Sequence, residues 1–490
     1  MDGRVAPLSG TDWRVSLSVA APILVFFYLT AITLLQQTPV WFPLDDAYIT
    51  IGNVETFRSG QTDLYGNDGP TGASSLIHFL ALLLLSLIID TPIASLLLSL
   101  LSGAFYAVGL WLLLRAVSTS RTVVAFGTIT GLLAGNAWPQ VLNGLETGMA
   151  MAAITWAFYF RQTGKTTGLA VLIGTLPFVR PEFYVLSALM CISLTASRPF
   201  DRPLAVQLLC ISAATYAVFA LVSLFTLGGI LPETAGAKEA YFAGKGEPLF
   251  YSLLAALHAI PETGLILVFV GLVFSPRLRG GWVALVFLAI FVFSSALKLP
   301  EALYHNDFRY LYPFLPVAIV SWAAVLPTRR YIAEPAFVLG SLVAAYHCAT
   351  TYWPTYTTLW KSLNEKRHHS VDWIVKNVPD GAVIGIHDAG FIPWKVASAN
   401  PVRKLNFIDL VGLKSPFAIE FHEEFTDPSN GKERWLAFDK LGRESQIDYL
   451  VILDQPFWRD IEANYKHAGW DIELVFANKG SYQVFEANPR

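Results

Sequence analysis

The chain has 490 residues, 54% of them hydrophobic and only 14% charged, against roughly 25% charged in an ordinary soluble domain. Most of it must live in lipid. A formal net charge of −3 gives no case for nucleic acid as a partner, and no polybasic run argues for headgroup capture. Of the 34 Lys and Arg and 37 Asp and Glu, about half fall after residue 359. That asymmetry divides the chain into a membrane region, residues 1–358 with a first outer loop at 37–74, and a soluble C-terminal domain, residues 359–490. Cys191, Cys210 and Cys348 all sit inside apolar runs, so neither a disulfide framework nor a thiolate metal cluster is indicated.

Arg4 and Arg14 precede an apolar stretch from Ser16 to Leu35. The stretch is too long for a signal-peptide core and lacks a convincing small-residue cleavage site, so it reads as an uncleaved anchor. Further spans are predicted near 91–114, 122–140, 147–160, 167–179, 181–197, 204–226, 262–276, 282–299, 309–326 and 332–352, each judged against the ~20 apolar residues a crossing needs. Positive loops orient them. Arg115 with Arg121, Arg161 with Lys165, Arg198 with Arg202, Arg277 with Arg279, and Arg329 with Arg330 mark cytoplasmic turns. On that assignment the run "SSLIHFLALLLLSLIID" at 74–90 cannot cross and lies at the outer surface, juxtamembrane or re-entrant. The alternative, an ordinary span with the Arg115/Arg121 turn breaking the charge rule, stays open. The preferred reading has eleven crossings and places the C-terminal domain outside, with the loop that carries Asp45 and Asp46.

The same topology gathers other polar groups on the outer side. Glu146 follows the turn "NGLET", Arg180 and Glu182 lie in "FVRPEFY", and His305, Asp307, Arg309 and Tyr310 lie in "LYHNDFRYLYP". Each charge sits at the edge of an apolar run, where an unpaired one costs about 2.5–3.5 kcal/mol even on the lenient insertion scale. A shared wet cavity would lower that cost. The short apolar runs flanking "RPE" suggest that this turn dips into the protein, as irregular backbone does where it lines a cavity. Blander readings exist for each group: an Arg180–Glu182 pair across the proline, a first-turn helix carboxylate at Glu146, a snorkelling Arg309, a solvated Asp45/Asp46 pair. Their joint occurrence on one face is what those readings leave unexplained.

Two adjacent carboxylates suit general-base work, one raised in pKa by its neighbour, or a hard divalent cation. Arginines among aromatics suit a phosphate, because guanidinium offers a bidentate fork. A base, a phosphate clamp and an intramembrane cavity fit transfer of a group from a lipid-linked phosphate to a hydroxyl.

"LDDAYIT" at 44–50, "YGNDGPTGASSLIHFL" at 65–80, "NGLET" at 143–147, "VRPEF" at 179–183 and "FRYLYPFLP" at 308–316 together resemble the GT-C superfamily of integral-membrane glycosyltransferases. The likeness is to its polyprenyl-phosphate-sugar-dependent arabinosyl, mannosyl and aminoarabinosyl transferases. It implies a polytopic α-helical membrane protein, with about eleven transmembrane helices plus juxtamembrane helices, and a C-terminal soluble α/β domain. It implies transfer of a sugar with inversion from a polyprenyl-phosphate donor to a hydroxyl on an envelope glycan, lipid or protein at the outer face of the plasma membrane. Asp45 or Asp46 would be the catalytic carboxylate, with Glu146 and Glu182 lining the cavity and Arg180 and Arg309 near the lipid phosphate. Some families of the superfamily use a divalent metal, magnesium or manganese, and others do not; no fixed metal spacing is present, so the metal stays unassigned.

In the tail, "SVDWIVKNV" is amphipathic and "PDG" is a turn signal. "AVIGIHD", "DYLVIL", "IELVFA" and "SYQVFEA" read as strands, with helices near 431–443 and 458–470. His387 and Asp388 end a predicted strand, a common place for ligand contact, unless Asp388 caps the following turn. A transporter or flippase of lipid-linked sugar, or a non-catalytic envelope assembly protein, are the rival readings. Transporters often show repeated halves with broken helices, and no internal repeat is visible.

Overall fold

The computed structural model describes residues 13–195, 202–230, 234–245, 250–251, 254, 265–298, 305–326, 330–399 and 404–490. Arg4, Arg198 and Arg329, and the side chains of Arg14, Arg202, His305 and Arg330, lie outside the described residues. Among the described residues, five helices are long and apolar enough to cross a membrane: Ser18–Gln36, Thr91–Val117, Pro203–Leu227, Asn306–Val325 and Tyr331–Asn377. Other predicted crossings fall on shorter helices. The chain begins with α1 (Trp13–Gln36), α2 (Asp46–Ser59), α3 (Leu76–Ser86) and α4 (Thr91–Val117). At 1.5 Å per residue the eleven residues of α3 span only about 16 Å, roughly half a hydrocarbon core.

The predicted span at 122–140 is interrupted. It forms α5 (Arg121–Leu133) and the short α6 (Ala137–Val141), because Gly135 turns the chain in the left-handed region at φ 55°, which glycine adopts without steric cost. Next come α7 (Thr147–Thr163), α8 (Thr166–Val179) and α9 (Phe183–Thr195). α4 and α7 approach closely over Gly109, where a Cβ would lie 2.7 Å from Trp156 Nε1. That indole donates to the Phe105 carbonyl at 3.0 Å. The "RPE" turn joins α8 and α9, helices of 14 and 13 residues, and it does dip inward: Arg180 is among the most buried large side chains. α10 (Arg202–Leu227) and α11 (Thr234–Phe242) follow.

The helical run Tyr331–Asn377 is 47 residues long, about 70 Å, and passes through residue 358 without a break. The change from membrane region to soluble domain, placed at 358/359 from charge alone, therefore falls inside one continuous rod. Beyond it the tail forms a five-stranded sheet of β1 (Val383–Ile386), β2 (Asn406–Asp409), β3 (Tyr449–Leu453), β4 (Trp470–Phe476) and β5 (Tyr482–Pro489). The order is β2-β1-β3-β5-β4, with β2, β1 and β3 parallel and β5 and β4 antiparallel. The four strands and both helices expected in the tail are present; β2 was not foreseen.

The segment between α1 and α3 is stitched to this domain. Arg367 Nη1 donates to Pro43 O at 3.2 Å, Phe407 N to Leu64 O at 2.8 Å, and Tyr65 Oη to Ala389 O at 3.0 Å. Lys414 Nζ reaches Asn53 Oδ1 at 2.6 Å and Asp63 Oδ2 at 2.6 Å.

The membrane sidedness of this arrangement is testable at the exposed residue Asp90, which lies between α3 and α4. A cysteine replacing Asp90 is expected to react with a membrane-impermeant thiol reagent from the same side as a cysteine in the soluble domain. Labelling from opposite sides would mean that α3 crosses.

Candidate functional site

The two adjacent aspartates part company. Asp45 is the residue that precedes α2 and Asp46 is its first, and the turn of the chain there sends their carboxylates to different places. The Asp45 carboxylate does not cap its own helix. Its Oδ2 accepts from Gly390 N at 2.6 Å and its Oδ1 from Phe391 N at 2.8 Å, so it caps the helix Phe391–Ala399 of the soluble domain. Glycine is required at 390, since a Cβ there would lie 2.0 Å from the Asp45 carbonyl oxygen. Burial, with Asp388 nearby, pushes the Asp45 carboxyl up to about 7 against the opposing pull of Arg367 and the Phe391 amide.

The Asp46 carboxylate instead faces an open cleft of about 390 Å³, which Glu146, Arg180, Glu182, Lys238, Arg309 and Tyr310 also line. Arg309 Nη2 lies 3.6 Å and Lys238 Nζ 3.8 Å from Asp46 Oδ2. Arg180 Nε lies 2.8 Å from Glu182 Oε1 and 3.4 Å from Glu146 Oε1. The Tyr310 ring stands between the two guanidinium groups, 4.4 Å from Arg180 Cζ and 4.9 Å from Arg309 Cζ, and its hydroxyl accepts from Arg309 Nη2 at 3.0 Å. Both arginines are buried. Yet Arg180 Nη1, Arg309 Nη1 and Arg309 Nε have no hydrogen-bond partner among the described residues. A buried donor left unmade costs about 1–3 kcal/mol, more when charged. The cleft thus carries a standing demand for an anion.

Of the other site residues expected from sequence, Asp307 lies elsewhere. It accepts from Asn136 Nδ2 at 3.0 Å, in a separate small cavity with Gln140, Asn306 and Trp360. His387 and Asp388 do not line the cleft either. His387 stacks on Trp458 at 3.9 Å and its Nε2 accepts from Leu453 N at 3.0 Å. Its Nδ1 faces Asp388 Oδ1 at 3.2 Å. Burial opposes ionisation of Asp388, but His387, the Tyr482 hydroxyl and Arg367 together hold it down to about 2. Asp388 and Arg367 act on Asp45 electrostatically with opposite sign. Sequence reasoning missed Lys238, which lies on α11; its signal was that it is the lone Lys or Arg between Arg202 and Lys245.

Asp46, Glu146 and Glu182 each face a cationic side chain. Asp46 faces Arg309 and Lys238, Glu146 and Glu182 share Arg180, and among the described residues no group of three or more His, Cys, Asp or Glu could hold a metal ion.

Three comparisons bear on this geometry. Residues 357–485 match a family described as a domain of unknown function (DUF8728). No curated protein matches in sequence. Among solved structures, ArnT from Cupriavidus metallidurans bound to undecaprenyl phosphate superposes with a TM-score of 0.56 at 15% identity, over 98% of each chain. The apo oligosaccharyltransferase of Archaeoglobus fulgidus gives 0.56 at 12% identity, over 91% of this chain and 70% of that one. The archaeal oligosaccharyltransferase AglB from the same organism, in complex with an inhibitory peptide and a dolichol-phosphate, gives 0.51 at 13%, over 96% and 74%. The chain has a GT-C-like fold.

The Asp45 clasp makes a signed prediction. Because its folded pKa is raised, the stability it contributes is present at low pH and lost as pH rises through about 7. As pH rises from about 4 to about 7, wild-type protein is expected to lose thermal stability, and Asp45→Asn to flatten that slope while lowering Tm overall, since its amide NH₂ cannot accept from a backbone N–H. Parallel slopes in the two proteins would separate Asp45 from the pH dependence.

Proposed function

We propose that the protein is a membrane glycosyltransferase that moves a sugar, with inversion, from a polyprenyl-phosphate donor to a hydroxyl acceptor of the cell envelope at the outer face of the plasma membrane. The observation that carries this reading is the pair of buried, part-unpartnered guanidinium groups, Arg180 and Arg309, opening on the same cleft as the Asp46 carboxylate. Lipid-linked phosphates named with the solved structures of like fold, undecaprenyl phosphate and dolichol-phosphate, support the donor class.

Each group has a place in the reaction. The donor phosphate occupies the space before Arg309 and Lys238, and the guanidinium fork of Arg309 holds its oxygens. In the arrangement seen, those cations neutralise Asp46, and a carboxylate so paired is a poor base. Phosphate entry draws them away and frees Asp46 to take the acceptor proton. The acceptor oxygen then attacks the anomeric carbon, the bond from that carbon to the phosphate oxygen breaks, and the electron pair leaves on the polyprenyl phosphate. Positive charge already fixed at that oxygen stabilises the transition state without reorganisation. Glu146 and Glu182 hold Arg180 in place and set the polarity of the cavity wall.

Two substitutions test the assignment in protein reconstituted in nanodiscs and given polyprenyl-phosphate sugars. Asp46→Asn is expected to lower the single-turnover rate by about a hundred- to ten-thousandfold, while donor affinity holds or tightens because a competing carboxylate is gone. Arg309→Lys keeps the charge and loses the fork, so donor affinity falls with folding intact. Near-normal transfer by Asp46→Asn would remove Asp46 as the base, and no transfer by the wild-type protein would favour a transporter of lipid-linked sugar.

A further inference from the structure

A second cavity, of about 330 Å³, lies along another side of α2. α2 contributes Tyr48, Ile49, Gly52, Glu55, Thr56 and Ser59, the segment between α2 and α3 contributes Gln61 to Tyr65, and the soluble domain contributes Ala389, Gly390, Pro393, Trp394, Ala397, Ser398 and Lys414. Its chemistry is the opposite of the reaction cleft. Its one cation, Lys414, is already committed to Asn53 and Asp63, and two carboxylates, Glu55 and Asp63, face it, so a phosphate is repelled. What remain are the half-buried rings of Trp394 and Tyr65 among hydroxyls and carboxylates. The buried Tyr48 ring backs Trp394 at 5.0 Å, and Trp394 Nε1 donates to Glu55 Oε2 at 2.9 Å.

We infer that this groove binds the acceptor, and that the acceptor is a glycan chain. Flat rings take the C–H faces of sugars, and carboxylates, hydroxyls and an amide meet sugar hydroxyls as acceptors and donors. From Tyr48 to Ser59 the groove follows α2 for about 16 Å, which is several sugars and not one. Gly390, whose N–H holds Asp45, the residue next to Asp46, also lines the groove. Ile49 lines both cavities, so it forms the wall where acceptor and donor spaces meet. The inference rests on the glycosyltransferase reading for its purpose, though not for its binding chemistry.

Gly52 permits a clean test. A Cβ there would meet only Trp394 Cδ1, at 3.9 Å, so Gly52→Leu fills the groove, and leucine favours the helix over glycine. The full chain in nanodiscs, without donor, is titrated with short linear manno-, arabino- and galacto-oligosaccharides, and separately with a serine-containing peptide and an alkyl glycoside. The expected result is binding of an oligosaccharide that strengthens with its length and is weakened at least about tenfold by Gly52→Leu. Glu55→Gln and Trp394→Phe, which keep shape or ring, should weaken it less. Binding only of the peptide or alkyl glycoside, no binding at all, or oligosaccharide binding indifferent to Gly52→Leu would overturn the inference. The two readings fail separately: glycan binding lost in Gly52→Leu with no sugar transfer in wild type sinks the enzyme and keeps the groove, whereas transfer with an acceptor KM unchanged by Gly52→Leu sinks the groove and keeps the enzyme.

Discussion

The arrangement hangs on one carboxylate. Asp45 lies between α1 and α2, yet both its oxygens are spent on backbone amides of the C-terminal α/β domain, Gly390 and Phe391. A carboxylate at a helix N-terminus satisfies donors that the helix cannot satisfy itself and meets the positive end of its dipole. Because Asp45 directly precedes α2, this contact also fixes where α2 begins. Asp46 is the first residue of α2, so its place in the cleft follows from a bond its neighbour makes to another part of the chain.

With α2 fixed, its sides acquire different electrostatics. One presents Asp46 to Lys238, Arg180 and Arg309, a space that an anion completes. The other presents Tyr48, Gly52 and Glu55 to Trp394 and Lys414, a space whose single ammonium is already neutralised. The two spaces meet at Ile49, which lines both, so α2 divides them by charge and joins them at one residue.

How much of this could be read from sequence varies with the kind of signal. Charged residues at the edges of apolar runs were legible because lipid makes them costly, and Glu146, Arg180, Glu182 and Arg309 do converge on the cleft. Adjacency misled at "LDD". Consecutive residues at a helix start point roughly 100° apart at 3.6 residues per turn, so the doublet reads as a pair in one dimension and separates in three. His387 and Asp388 were singled out by a rule about strand ends, and there the end of β1 faces Asp45 and the loop that carries it. Lys238 carried no motif, and only a contact with Asp46 across nearly two hundred residues gives it meaning. The strand β2, "NFID", is four residues long and too short for alternation to declare itself. The GT-C-like fold was legible because the order of its motifs survives where their individual residues are weak.

The soluble domain thereby sets two sides of the cleft and is no appendage. It holds Asp46 through Asp45, as described, and it holds Lys238 through the end of α11. Arg434 Nη2 donates to Tyr241 O at 3.1 Å and Ala243 O at 2.6 Å, the Tyr241 side chain sits in the domain's own core, and Lys245 pairs with Asp460 at 2.8 Å. Tyr241 follows Lys238 by three residues, less than one helical turn, so the anchor and the cleft lysine move together. The 3.8 Å between Lys238 Nζ and Asp46 Oδ2 is therefore set by two attachments to the same α/β domain, while Arg180 and Arg309 are carried by the membrane helices. Any shift of the domain against the membrane region moves the carboxylate and one cation together relative to the guanidinium pair, which makes the seating of that domain a determinant of the electrostatics of the cleft.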